Sequence, residues 1–305
     1  MSLLIVGCGY VGRELVRQLR QDPTHAGRLI YALTRTKQRV AELESWGVRP
    51  LVGDWLDAAS LPRLPEVQRI VITVPHRPID SVDTKHDSKD DQVHVRGLCH
   101  IQQWLRRSGI NESQVPLVYL STTGVYGDTQ AGEIIDERWP ISPTRIGPKM
   151  ASAAEQWLLE HQSDWPSTTL RLAGIYGPDR IPLVRQLQAG LPLSVPRNGY
   201  LNLIHVSDAV QAILWAMAHP GQQPILLVSD GQPVLREQFY RYLAQLCGTP
   251  EPEFIEPDPS SSKSLRATDK RIDSSLFWKL SALSPIYPDY QAGLCAIMKG
   301  SFKEA

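Results

Sequence analysis

The sequence predicts an α/β protein, a doubly wound parallel sheet with a smaller C-terminal lobe. Three observations predict it. Short apolar runs alternate with helical patterns through the first part of the chain. A glycine-rich turn follows the first of those runs, and the rhythm breaks after Gly177. Alternation of this kind is the pattern of βαβ units.

Taken in order, the expected strands are Leu3–Val6, Leu29–Leu33, Arg49–Val52, Arg69–Val74, Leu117–Ser121 and Thr168–Leu172. The expected helices between them are Val11–Arg20, Lys37–Trp46, Asp91–Ser108 and Lys149–Glu160. Strands this short, β-branched and without polar alternation suit a sheet buried on both faces. Beyond Gly177, Pro178, Pro182, Gly190, Pro192, Pro196 and Gly199 punctuate the chain and mark the smaller lobe. Two later segments are expected to return to the main sheet or pack beside it: strand Leu201–Val206 with helix Asp208–Ala218, and strand Ile225–Ser229. The expected division is therefore residues 1–177 with 201–229 as one domain, and 178–200 with 230–305 as a substrate lobe. The Pro- and Ser-rich stretch Pro250–Ser264 is expected to be a mobile loop that could cover the cleft.

The bulk composition excludes several classes. Lys plus Arg equals Asp plus Glu at 32 each, whereas a protein that neutralises many phosphates carries a basic excess. Nucleic acid is thus not expected as a partner. Cys8, Cys99, Cys247 and Cys295 show no ligand spacing, so neither a disulfide framework nor a metal site is signalled. No leader-like or membrane-spanning apolar run occurs in the sequence, which suits a soluble cytoplasmic protein.

Gly7-Cys8-Gly9-Tyr10-Val11-Gly12 closes the first strand and opens an amphipathic helix with Val11, Leu15, Val16 and Leu19 on one face. Gly7 permits the tight turn, Gly9 admits close approach of a pyrophosphate, and Gly12 lets helix and strand pack. The helix start at Tyr10 and Val11 points backbone N–H groups at the anion. This is the pattern of a Rossmann dinucleotide site for NAD(P). NAD-preferring sites place an acid after the second strand. Here Thr34-Arg35-Thr36-Lys37 stands there, so Arg35, assisted by Lys37 or Arg39, favours NADP(H) over NAD(H); alternatively these are solvated charges on a surface helix. Asp54, after the third strand, is a candidate for the adenine amino group or a turn cap. Leu56 and Val74 are expected beside the cofactor as well.

Several further segments, in order, resemble the extended short-chain dehydrogenase/reductase superfamily, the NAD-dependent epimerase/dehydratase group, and its atypical members. They are Ser121-Thr122-Thr123-Gly124-Val125-Tyr126-Gly127, Arg171-Leu172-Ala173-Gly174-Ile175-Tyr176-Gly177-Pro178, and Ile204-His205-Val206-Ser207-Asp208-Ala209-Val210. The resemblance implies an NAD(P)-dependent oxidoreductase or epimerase/dehydratase-like enzyme. Its substrate would be a carbonyl or hydroxyl of a small polar molecule, with nucleotide sugars among the candidates.

By the same resemblance Thr122 orients the substrate oxygen, with Ser121 beside it, and Lys149 holds the nicotinamide ribose. The family's proton-transferring Tyr falls on Arg145, which cannot act as a base at neutral pH. Pro148 is expected to delay the helix start and leave Arg145 in a loop. Tyr126 or Tyr176 could substitute, or the proton donor is a bound water or a substrate group; a packing role for the Tyr126 ring is the alternative. Loss of the Tyr also supports the alternative, a non-catalytic NAD(P)-binding redox sensor or regulatory protein. Thr73-Val74-Pro75-His76 stands where the family has a His-Leu-Ala-Ala-like run near the cofactor ribose. His94 replaces an Asn and reads as a surface or helix-packing residue, or as a polar neighbour of the cofactor; Gly97 is expected to pack against the sheet. The charged segment Asp80 to Asp91 reads as a solvated loop. His205 and Asp208 read as structural, the tryptophans as core, and helices Asp91–Arg107 and Lys149–His161 as a possible homodimer face.

Overall fold

A computed structural model describes residues 2–25, 27–76, 90–129, 132–256 and 269–301. Most of the Asp80 to Asp91 segment and the latter part of Pro250–Ser264 lie outside the described residues. Two compact units emerge. The first comprises Met1–Val125, Pro143–Arg171 and Val210–Leu226; the second comprises Tyr126–Ser142, Leu172–Ala209 and Leu227–Ala305.

In chain order the strands are β1 (Ser2–Val6), β2 (Leu29–Thr34), β3 (Arg49–Val52), β4 (Arg69–Ile72), β5 (Leu117–Thr122), β6 (Glu133–Ile135), β7 (Ser167–Leu172) and β8 (Gly174–Tyr176). They continue as β9 (Leu193–Ser194), β10 (Tyr200–Leu201), β11 (Leu203–His205), β12 (Ile225–Val228), β13 (Val234–Leu235), β14 (Phe254–Ile255) and β15 (Lys270–Ile272). The helices are α1 (Tyr10–Gln21), α2 (Val40–Ser45), α3 (Val93–Arg107), α4 (Ile146–Glu160) and α5 (Val184–Gln188). They are followed by α6 (Val206–Ala218), α7 (Arg236–Cys247), α8 (Ser275–Ser281) and α9 (Tyr290–Ser301).

One seven-stranded sheet runs β12-β7-β5-β4-β1-β2-β3, the doubly wound order expected from the alternation. Strands β1 and β7 are buried along their whole length, as a sheet covered on both faces requires. Helix α1 buries Val11, Leu15, Val16 and Leu19, the stripe the sequence shows. A core of Leu4, Val6, Ile70, Tyr119, Trp104 and Trp165 fills one layer. Val6 and Ile72 pair in register where β1 meets β4. There the strand order reverses and the carboxyl ends open a crevice.

Local boundaries differ in instructive places. The helix expected over Lys37–Trp46 is a 3-10 turn, Lys37–Arg39, followed by the short α2. Helix α4 begins at Ile146, earlier than expected, because Pro148 falls in the first turn, where its missing N–H costs no helical bond. Arg145 is its N-cap in extended backbone (φ −99°, ψ 152°), outside the helix as expected. The strand expected over Leu201–Val206 divides in two. Strand β11 pairs with β8 and β10 with β13, neither of them in the seven-stranded sheet.

The second unit carries its own core around Tyr176, Phe239, Leu243 and Leu294. The segment expected as loop from Pro250 holds β14, parallel to β9. Among the described residues, no helix is long and apolar enough to cross a membrane.

Candidate functional site

The glycine turn is built as its residue types demand. Gly7 has φ +83°, a left-handed backbone that favours glycine, and a Cβ there would come within 2.8 Å of the Val74 side chain. The Gly9 amide donates to the Gly7 carbonyl at 2.6 Å, and the Thr73 hydroxyl donates to the same oxygen. A Cβ at Gly9 would meet only the Gly7 carbonyl oxygen, 3.8 Å away, so the backbone is open to close approach. A Cβ at Gly12 would press to 3.1 Å on the Cys8 sulfur. No side chain caps α1 and no acid stands in its first turn. Its N-terminal dipole thus faces the crevice without a counter-charge from its own first turn.

A cavity of about 620 Å³ opens at the carboxyl ends of β1 to β4, lined among others by Gly7, Gly9, Arg35, Asp54, Leu56 and Val74. Six of the expected cofactor residues therefore converge on one space. Tyr10 and Val11 begin α1, and Gly12 packs beneath the turn. A second groove of about 830 Å³, near Arg63, Gln68 and Asn111, lies at the entry to β4 rather than at the strand carboxyl ends.

The charges in the first cavity are unequal in preparation. Arg35 is exposed. Arg39 is held in place: Nη1 donates to the Cys8 carbonyl at 2.9 Å, Nε donates to Glu42 at 2.8 Å, and the guanidinium lies 5.9 Å from the Trp46 ring centre. Asp54 spends Oδ1 on the Leu56 amide at 2.9 Å, so its turn-capping role is real, and it still borders the cavity. Burial pushes the Cys8 thiol up to about 12, leaving it protonated in the turn.

The expected reacting groups are placed as follows. Thr122 ends β5, and its hydroxyl accepts from the Gly124 amide at 3.1 Å. Lys149 is exposed on α4, its amide bonded to the Arg145 carbonyl. The three share the first unit, and a Cβ at Gly124 would lie 3.4 Å from an Arg145 guanidinium nitrogen. Tyr126 belongs to the second unit and is buried at 2 % exposure. Tyr176 is also buried there; its hydroxyl donates to the Asp289 carbonyl, and burial raises its pKa well above the ordinary phenol value.

For His94 the structure selects among the readings the sequence offered. It is not a surface residue: it is 1 % exposed and lines the cavity, on the α3 face that also buries Val93, Gly97 and Leu98. That inward periodicity was the available signal. The sequence did not connect His94 to Tyr119, whose hydroxyl lies 2.9 Å from the His94 Nδ1, or to His76, whose ring stacks on it. Gly97 faces not the sheet but the Trp55 indole, which a Cβ would penetrate.

Gly97→Ala should therefore destabilise the protein by up to about 2 kcal/mol. The overpacking cost of ~1–3 kcal/mol outweighs the ~1 kcal/mol helix gain. Urea unfolding with tryptophan fluorescence checks this, and a net stabilisation would show that Trp55 yields freely.

A glycine turn under a bare helix start, at the strand-order reversal of a doubly wound sheet, defines a Rossmann-type dinucleotide-binding protein. The chain belongs to the NAD dependent epimerase/dehydratase family, whose model matches residues 3–228. It is 26% identical over 261 residues to Protein YeeZ of Escherichia coli K12, covering 83% of this chain and 86% of that protein. It is 24% identical to a 3-diazoavenalumate denitrifying reductase of a Streptomyces species, covering 96% and 99%. Among solved structures, UDP-glucose 4-epimerase of Thermotoga maritima superposes with a TM-score of 0.79 at 16% identity, covering 100% and 99%. The fold and family expected from the residues are thus borne out.

Proposed function

We propose that this chain is an NADP(H)-preferring oxidoreductase or epimerase/dehydratase-like enzyme acting on a carbonyl or hydroxyl of a small polar substrate, with nucleotide sugars among the candidates. The observation that carries the reading is the cavity at the glycine turn, bordered by Arg35 and Arg39 where an NAD site would place an acid. The residues fit a dinucleotide. Gly7, Gly9 and the start of α1 would take the pyrophosphate, Arg35 and Arg39 a 2′-phosphate, and Asp54, Leu56 and Val74 the adenosine side and its approach. When bound, the nicotinamide supplies hydride chemistry. Lys149 would hold its ribose and Thr122 would orient the substrate oxygen. We place the protein in the cytoplasm, acting on a small molecule without a nucleic acid or membrane partner, as a homodimer through α3 and α4.

Calorimetric titration with NADPH and NADH, on the natural chain and on Arg35→Ala and Arg39→Ala, tests the cofactor. NADPH should bind at least tenfold tighter than NADH. Each substitution should weaken NADPH by roughly tenfold, about 1.4 kcal/mol, as expected for a lost charge-assisted bond. Arg39→Ala should also weaken NADH slightly, because the Cys8 carbonyl loses its partner. Equal affinities would reassign the site to NAD, and no binding would remove the reading.

Arg145 at the family's Tyr position favours one other reading, a cofactor-binding protein without hydride chemistry. Lys149→Ala separates the two: an enzyme loses turnover sharply, whereas a sensor loses at most some affinity.

A further inference from the structure

Arg145 stands where the family's tyrosine would, and its guanidinium has a definite place. Gly124 lies in the turn Thr123–Tyr126 that follows β5. A Cβ on Gly124 would come within 3.3 Å of the Thr122 hydroxyl oxygen and 3.4 Å of an Arg145 guanidinium nitrogen, with the Pro148 ring at 2.9 Å. Arg145 thus folds back over the start of α4 and, with Thr122, reaches one point at the carboxyl end of β5. Strand β5 pairs with β4, so this point lies one strand along the sheet edge from the cavity at the glycine turn. A Cβ on Gly147 would come to 2.5 Å from the His76 carbonyl oxygen, so the first turn of α4 lies against the chain that leaves β4 past Val74 and Pro75 on the cavity wall. All of these residues belong to the first unit.

What converges there donates hydrogen bonds and carries positive charge. The Thr122 oxygen accepts from the Gly124 amide, and its O–H is a donor besides. The Arg145 guanidinium only donates. Lys149 follows one turn later and is exposed. Helix α4 spans 15 residues with no side-chain cap and no acid in its first turn, so its N-terminal partial charge adds to the two cations. Thr122 and Arg145 are both half-buried, open to a ligand yet partly shielded from bulk water.

A neutral carbonyl calls for no such surplus of charge. A carboxylate matches it, with two acceptor oxygens and a full negative charge for the guanidinium fork. On the nicotinamide-dependent reading above, Thr122 holds the oxygen of the carbon that exchanges hydride. Because the hydroxyl and the guanidinium reach one point, the two substrate groups they hold stand on adjoining carbons. We infer that Arg145 binds a substrate carboxylate next to the reacting carbon, so that the site takes 2-oxo acids and the corresponding 2-hydroxy acids. This rests on the reading above and narrows its small polar substrate to an acid. Arg145 then selects and orients the substrate instead of moving a proton, which a guanidinium does not do at neutral pH.

Oxamate, an unreactive mimic of a 2-oxo acid, tests this by calorimetric titration of the full chain with and without saturating NADPH. It should bind the NADPH-loaded chain with a Kd of about a millimolar or below, at least tenfold tighter than acetate or inorganic phosphate, and the chain without dinucleotide more weakly. Arg145→Gln should weaken oxamate by roughly tenfold or more, and Arg145→Lys should restore only part of the loss, because an ammonium lacks the planar fork. Thr122→Val should weaken it by roughly fivefold. NADPH affinity within about twofold of the natural value, together with an unchanged urea midpoint, shows that Arg145→Gln is folded. Absence of oxamate binding to the natural chain, undiminished binding in Arg145→Gln, or acetate and phosphate binding as tightly as oxamate would overturn the assignment. Failure of both dinucleotides to bind would instead overturn the cofactor reading, and the titration without dinucleotide would still decide whether oxamate requires Arg145.

Discussion

Glu155→Ala should cost the fold about 3–5 kcal/mol, the penalty for leaving a buried charge without its partner. Glu155 and Arg171 are 2 % and 4 % exposed and share a close pair, Arg171 Nη2 to Oε2 at 2.7 Å with Nε at 3.1 Å from the same oxygen. The Ser121 hydroxyl donates to the other carboxylate oxygen, so one side chain of α4 ties β5 and β7 to the helix that carries Lys149. Removing the carboxylate leaves a guanidinium in a nearly dry site, whereas removing both charges together does not. Glu155→Met with Arg171→Met should therefore recover most of the loss. Denaturant titration of both variants checks this, and a single substitution costing under about 1 kcal/mol would mean that water reaches the pair.

Asp230→Asn should stabilise the protein at pH 8 by up to about 4 kcal/mol and change it little near pH 4. Asp230 follows β12, is 5 % exposed, and accepts the Gln232 amide through Oδ1, while Oδ2 has no hydrogen-bond partner among the described residues. Burial, with the charges of Asp289 and Asp208 nearby, raises it from 3.8 to about 7. The folded chain thus holds this proton more tightly than the unfolded chain. Its contribution is fully present below pH ~4 and is lost as pH rises through ~7. Asp208 leans the same way, raised by burial to about 6 although it accepts the Ile286 and Tyr287 amides. Stability differences between variant and natural chain, measured by denaturant titration from pH 4 to 8, should grow with pH. A flat difference would show that Asp230 titrates normally.

Much of the first unit could be read from the chain because its signals are local. A run such as Leu3–Val6 before Gly7 and the stripe Val11, Leu15, Val16, Leu19 each depend on residues a few positions apart, which set backbone preference and burial together. The same holds for Arg35, Asp54 and Val74, which sit at strand ends and meet at the cavity because parallel strands bring their carboxyl ends to one edge. The chain after Gly177 was less legible. Its strands are two to four residues long, too short for periodicity to distinguish β11 paired with β8 from a return to the central sheet.

By itself, the sequence determined the doubly wound class, the glycine turn with its need for φ above zero at Gly7, the lack of an acid after β2, and Arg145 where a Tyr would stand. The tertiary structure alone decided that Arg39 rather than Arg35 is braced against the turn, that Gly97 makes room for Trp55, and that His76, Tyr119 and His94 share one chain of bonds. The physical reason is range. Backbone geometry and amphipathic burial are encoded over a few residues, whereas a hydrogen bond between positions 76 and 119, or a proton held by burial at Asp230, exists only once distant segments have packed and excluded water.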